Sequence, residues 1–206
     1  MNLLHIVSSP RKERSASIEV ANAFIGAWKR KHPEGQIDTL NVWETELLPF
    51  DKAALDAKYA GLEGKKRTAE QEAAWKQIKE LANRFHAAEI LLFSVPMWNF
   101  GLPYRLKHLI DIISQKDVLF TFDERGLLGL LNGRQMVVIA ARGATVGDND
   151  AFKDHQVEYL ATWAHMVGIP EPHAIVMERT LFGPEADAAA RAEARGKAVE
   201  LAGKLD

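Results

Sequence analysis

The feature that most constrains this chain is an alternation. Short, almost wholly apolar runs, closed by Ser, Pro or Gly, are separated by longer segments whose apolar residues recur at three and four. The runs at 3–7, 89–95 and 136–141 are far below the roughly 20 residues needed to cross a bilayer. They are also too continuous for a sheet with one face in water. Apolar side chains at successive positions mean burial on both faces, which is the setting of a parallel strand covered by helices above and below.

Along the chain, the first run is followed by a helix carrying Ile18, Ala21, Phe24, Ile25 and Trp28 on one stripe. This helix fades into Lys29-Arg30-Lys31 and stops at Pro33-Glu34-Gly35. Residues 36–42 alternate as a second strand, and a long connection begins at Leu47-Leu48-Pro49-Phe50. Thr68-Ala-Glu-Gln71 is a capping box that opens a helix through Trp75, Ile78, Leu81 and Phe85. The third strand, 89–95, ends at Pro96, and Pro103 marks the first position of a helix whose buried face is Leu106, Leu109, Ile110 and Ile113. Residues 118–122 alternate aromatic and polar, and Asn132-Gly133 turns the chain into a fourth strand at 136–141. A helix over 152–167, a fifth strand at 174–177 and an alanine-rich helix over 184–205 complete it. Strand and helix alternating five times predict a three-layer α/β fold with right-handed crossovers. Five strands favour the flavodoxin-like order 2-1-3-4-5 over a six-stranded dinucleotide-binding sheet. With 206 residues, the expectation is a single domain over 1–206.

Composition removes several classes of function. A net charge of −2 offers no general attraction to nucleic acid or to an anionic membrane. Without cysteine there is no disulfide framework, thiolate metal site, iron–sulfur cluster or cysteine nucleophile. The N-terminal run has no basic region before it and a Ser8-Ser9-Pro10 break after it, which is not the pattern of a signal peptide, so a cytoplasmic protein is expected.

In open parallel sheets ligands bind beyond the carboxyl ends of the strands, where the strand order reverses. Three loops lie there. The first, 8–17, presents Ser8, Ser9, Ser15 and Ser17 just before a helix, where hydroxyls, free N–H groups and the helix dipole together suit a phosphate; plain helix caps are the alternative. The second, Pro96-Met97-Trp98-Asn99-Phe100-Gly101, offers aromatics on which a planar heterocycle can stack, or core residues that close the sheet. The third, 142–150, places Arg142 and Gly143 at the fourth strand's end. Arg142 is either a positive charge near a developing anion or a surface arginine.

Sharper motifs are missing. No G-x-G-x-x-G follows the first strand, and there is no phosphate-binding G-x-x-x-x-G-K-[ST], no G-x-S-x-G and no H-E-x-x-H. No two histidines stand three or four apart, so no metal is expected, and His5 reads as a hydrogen-bonded core residue. A phosphoacceptor receiver domain needs carboxylates where this chain has Ser8-Ser9 and Ser94-Val95-Pro96.

The residues nevertheless form a pattern. Ser-Ser-Pro-x(4)-Ser-x-Ser, Pro-Met-Trp-Asn-Phe-Gly-Leu-Pro-x(2)-Leu-Lys, Phe120-x-Phe122 and Arg142-Gly143 follow one another in an order and spacing that resemble the FMN-dependent NADH:quinone oxidoreductases and azoreductases over essentially the whole chain. The resemblance implies that Ser9, Ser15, Ala16 and Ser17 hold the FMN phosphate and that Met97, Trp98, Asn99 and Phe100 run along the isoalloxazine. It also implies that Ala141, Arg142, Gly143 and Ala144 line the other edge of the ring. Relatives often carry Ser-Arg-Gly-Gly at this last place, so Ala141 and Ala144 are departures, and Ala16 has only its backbone to offer.

The activity implied is two-electron, ping-pong hydride transfer from NADH or NADPH through tightly bound, non-covalent FMN to a quinone or azo compound. The flavin carries the organic chemistry, so no catalytic acid–base residue is assigned. A homodimer with interfacial active sites is implied too, and Phe120, Phe122 and Trp163 are the aromatics whose exposure a monomer would have to explain. Two other readings share the fold. A flavodoxin-type electron carrier would dock its partners through a strongly acidic surface, which a charge of −2 does not supply, and a non-enzymatic binding module would be colourless.

Overall fold

The computed structural model describes residues 1–147 and 152–205. Its main sheet has five parallel strands. In chain order they are β1 (Asn2–Val7), β2 (Gln36–Asn41), β3 (Ile90–Pro96), β6 (Gln135–Ala141) and β7 (His173–Met177). The strands β4 (Phe120–Asp123) and β5 (Gly126–Gly129) form a separate antiparallel hairpin. The order is therefore β2-β1-β3-β6-β7 and not 2-1-3-4-5: the hairpin, which the sequence reading did not count, falls between the third and fourth strands of the large sheet. Lys12–Arg14 forms a short 3₁₀ turn, and the α-helices are α1 (Ala16–Lys31), α2 (Lys52–Leu62), α3 (Ala69–Ala87), α4 (Tyr104–Ile113), α5 (Val157–Val167) and α6 (Pro184–Lys204).

The continuous apolar runs have the expected cause. Leu4 and Ile6 of β1, Leu91 and Phe93 of β3 and Met136 and Val138 of β6 face one core with α3, α4 and α5. The alternate residues Leu3, Ile90, Leu92, Val137 and Ile139 face a second core with α1 and α6. There Phe24 and Trp28 are fully buried, each contributing about 1.5–3 kcal/mol by leaving water. Ala194, Ala198 and Ala202 of α6 are buried against that core; their small side chains let α6 lie close to α1. Among the described residues no helix is long and apolar enough to cross a membrane.

Local signals set several boundaries. The capping box at Thr68 forms in both directions, Gln71 N–H to Thr68 Oγ1 at 3.2 Å and Thr68 N–H to Gln71 Oε1 at 3.0 Å. Pro103 is the residue before α4 and not its first helical position. The helix expected from residue 152 begins at Val157, because the Asp154 carboxylate accepts the N–H groups of Gln156 and Val157 and fixes the helix start there. The connection at 51–67 contains α2, which buries only Ala54 and Ala57.

Candidate active site

β1 lies between β2 and β3, so chain connections leave it in opposite directions. At this reversal the carboxyl ends of β1, β3 and β6 surround a cavity of about 220 Å³. The first loop supplies Ser9, Ser15 and Ala16, the second supplies Met97 and Trp98, and the third supplies Ala141 and Gly143. Three loops far apart in sequence thus meet in one place.

On the serine side, Ser9, Ser15 and Ser17 are all buried. The Ser15 and Ser17 hydroxyls are 3.2 Å apart, and Ser15 Oγ reaches the Ile18 N–H only at 3.5 Å, a long bond for a cap. Ser17 supports Ser15 from behind and does not itself line the cavity. The first N–H groups of α1 have no carbonyl partner within the helix, and its dipole favours an anion there.

On the aromatic side, Trp98 and Gly101 exchange both backbone hydrogen bonds across a tight turn, at 3.0 and 2.9 Å. The two central residues have positive φ, 48° at Asn99 and 66° at Phe100, the signature of a primed hairpin turn that normally recruits Asn and Gly. A phenylalanine in the left-handed region is strained. The turn tips Asn99 and Phe100 out of the cavity wall, where Phe100 stacks on Phe152 with centroids 5.0 Å apart and planes 8° from parallel. Trp98 joins a half-exposed cluster with Trp43 and Tyr104, and Trp43 is anchored by its indole N–H to the Ser8 carbonyl at 2.9 Å.

The third loop corrects an expectation. Arg142 does not aim its charge at the cavity. Its guanidinium is buried and bonded to Asp154, to Gln156 Oε1 at 3.1 Å and to Glu178 Oε1 at 3.2 Å. Glu178 also accepts the Val146 N–H at 3.2 Å, and the Gln156 amide donates to the Val95 carbonyl at 3.0 Å. Arg142 is therefore a tie between β6, β7, α5 and β3. Ala144 is exposed and outside the cavity, and residues 148–150 of the expected loop lie outside the described residues.

Sequence reasoning missed the fourth wall. Thr180 and Leu181 follow β7, which pairs with β6, and donate backbone N–H groups to the Arg142 and Gly143 carbonyls at 3.1 Å each. Leu181 lies over Gly143 so closely that a Cβ there would stand 2.6 Å from a Leu181 methyl. Arg11, Asp187 and Arg191 complete the rim. The signal was the apolar pair Leu181-Phe182 in a loop at a strand's carboxyl end.

His5 beneath the site is buried, with Nε2 3.0 Å from Ser94 Oγ, and burial lowers its pKa to about 4. It is the core histidine that the sequence suggested. A larger groove of about 640 Å³ elsewhere carries Glu46, Asp51, Glu70 and Glu80 on its walls, the wrong charge for a phosphate.

A parallel sheet with a serine-lined helix terminus and aromatics at its switch point defines the flavodoxin-like class of α/β proteins. The family model for the flavodoxin-like fold matches residues 1–202. An FMN-dependent NADH:quinone oxidoreductase 2 of Pseudomonas syringae pv. tomato is 52% identical over 98% of both chains. An FMN-dependent NADH:quinone oxidoreductase 9 of Burkholderia lata is 50% identical over 88% of this chain and 89% of its own. The crystal structure of an FMN-dependent NADH-azoreductase from Bacillus anthracis in complex with FMN superposes with a TM-score of 0.85 at 26% identity, covering 98% of this chain and 99% of that one. This chain belongs to the flavodoxin-like family that contains the FMN-dependent NADH:quinone oxidoreductases.

Proposed function

We propose that this protein is an FMN-dependent NAD(P)H oxidoreductase that reduces quinones and aromatic azo compounds, a single domain acting in the cytoplasm. The observation that carries this reading is the cavity where the Ser9 and Ser15 hydroxyls and the start of α1 stand opposite Met97 and Trp98. The donor set fits the cofactor. The first N–H groups of α1, which lack a carbonyl partner in the helix, are met by an anion or water, and the Ser9 and Ser15 hydroxyls beside them are further donors suited to a monophosphate. The enclosed volume, about 220 Å³, is below the roughly 300 Å³ of a whole small-molecule pocket. It suits a phosphate and ribityl chain, with the ring extending along the open aromatic side.

On this reading Ser9, Ser15 and the Ala16 N–H hold the phosphate, and Ser17 holds the Ser15 hydroxyl in place from behind. Met97 and Trp98 support the ring where it leaves the cavity, and Asn99 and Phe100 flank its open side. Ala141 and Gly143 line its other edge through their backbone, with Ala144 beyond them. Arg142 acts from behind by holding that edge in place. Bound FMN supplies the ability to accept a hydride from NADH or NADPH and to pass two electrons to the acceptor. The protein's part is to orient the ring, to cover one of its faces and to leave the other open, so that donor and acceptor use the same place in turn. Heat-released flavin identified as FMN, together with NADH-dependent quinone reduction, tests this; release of FAD or of no flavin contradicts it.

We also propose a homodimer with its active sites at the interface. Phe122, Tyr104 and Leu181 are exposed apolar side chains; Leu181 lines the cavity and Tyr104 packs against Trp98, and Phe120 packs edge-on against Phe122 at 5.5 Å. Trp163 drops out of this argument: it is buried, and its indole N–H donates to Ser114 Oγ at 2.9 Å. Sedimentation at twice the 23.0 kDa chain mass supports the dimer, and a fully active monomer excludes it.

A further inference from the structure

Away from that site, four cations from four segments converge on a cavity of about 190 Å³: Lys58 of α2, Arg67 of the following link, Lys79 of α3 and Lys116 after α4, with Trp75 and Gly61 beside them. It shares no residue with the cavity at the strand ends. Arg67 is held in advance of any ligand. Its Nε donates to the Ala57 carbonyl at 2.8 Å and its guanidinium lies 4.3 Å from the Trp75 ring centroid. The guanidinium lies against the Gly61 backbone, where a Cβ would stand 2.1 Å from Nη2.

The charges are poorly neutralised. Glu72 is 3.8 Å from Arg67, and Asp117 is 3.8 Å from Lys116, both at the outer edge of an ion pair. Lys58 and Lys79 form no ion pair among the described residues. Four cations against one carboxylate on the wall repel one another, in a chain whose net charge is −2. A planar guanidinium fork with mobile ammonium groups around it matches the oxygens of a phosphate, and the volume admits one or two phosphoryl groups. We infer that this cavity is a second anion-binding site, taking the phosphate or pyrophosphate group of a small molecule.

Calorimetric titration of pyrophosphate into FMN-saturated protein at low ionic strength tests it. The expected result is one saturable site per chain, weakened about tenfold or more in the Lys79→Gln/Lys116→Gln variant. Without added anion the melting temperature should not fall, because two mutually repelling charges are removed, and quinone reduction should stay as in the wild type. Lys76→Gln, whose ammonium faces Glu80 outside the cavity, should bind normally. Replacing pyrophosphate with adenosine diphosphate separates the sources: tighter binding marks a phosphorylated molecule as the occupant and equal binding marks the free anion, and either result supports the site. No saturable binding overturns the inference, as does full affinity in the double variant.

Discussion

The guanidinium of Arg142 is bonded to the carboxylate of Asp154, and the pair ties the end of β6 to the start of α5. With side chains 6% and 19% exposed, this is a buried pair, in which removing one partner strands the other. Arg142→Ala should destabilise the flavin-free protein by about 3 kcal/mol, or about 6 to 12 °C in melting temperature for a chain of this size. Arg142→Lys should recover little of it, because an ammonium cannot span Asp154, Gln156 and Glu178 together. An unchanged apoprotein melting temperature with a collapse of FMN affinity would show that the guanidinium meets the flavin directly.

Ser15 and Ser17 separate binding from folding. The Ser15 cap bond is long, at 3.5 Å, so Ser15→Ala/Ser17→Ala should change apoprotein stability by less than the ~1 kcal/mol of a good cap. FMN affinity should fall by ~1.5 to 3 kcal/mol with the lost bond from Ser15 to a charged phosphate. Equal FMN affinity in variant and wild type would reduce these serines to caps.

Both predictions show what the sequence exposes and what it hides. Strands buried on two faces, such as Leu3 to Val7, and helices with large apolar stripes, such as that of Phe24 and Trp28, announce themselves because their side chains bury most of the area. α2 was missed because it buries only alanines. The hairpin was missed because its strands are four residues each and its turn glycine, Gly126 with φ 100°, lies in a charged stretch. The serine and Trp98 loops were legible from composition at strand ends. The role of Arg142 was not, because its partners lie 12 to 36 residues away and only the β6–β7 pairing brings Glu178 and Leu181 beside it.

His5 sets an acid limit. Its folded-state pKa is about 4, against 6.5 when unfolded, so above pH 6.5 both states are neutral and the stability is intact. As the pH falls from 6.5 towards 4 the unfolded chain takes up a proton that the folded one does not, and stability is lost. Between pH 7 and pH 4.5 the wild type should lose about 2 to 3 kcal/mol through this residue. Urea unfolding of His5→Gln at the two pH values should show a correspondingly smaller drop; an identical drop would mean that His5 protonates freely in the fold.

Phe100 trades strain for stacking. Phe100→Gly removes a left-handed phenylalanine, which costs of order 1–3 kcal/mol, and also its stack on Phe152. The variant should be no less stable than the wild type while its KM for a quinone rises several-fold. A large loss of stability with unchanged KM would place Phe100 in the structure and not in acceptor binding.

The proposed mechanism has donor and acceptor take turns on one exposed face of an FMN held between the serine loop and the Trp98 turn. Steady-state quinone reduction by the purified, FMN-loaded protein, measured over a grid of NADH and quinone concentrations, tests it most directly. Parallel double-reciprocal lines, with anaerobic NADH alone bleaching the flavin absorbance, are the predicted result. Intersecting lines with a stable ternary complex, or a protein that neither retains FMN nor turns over when supplied with it, would contradict this mechanism.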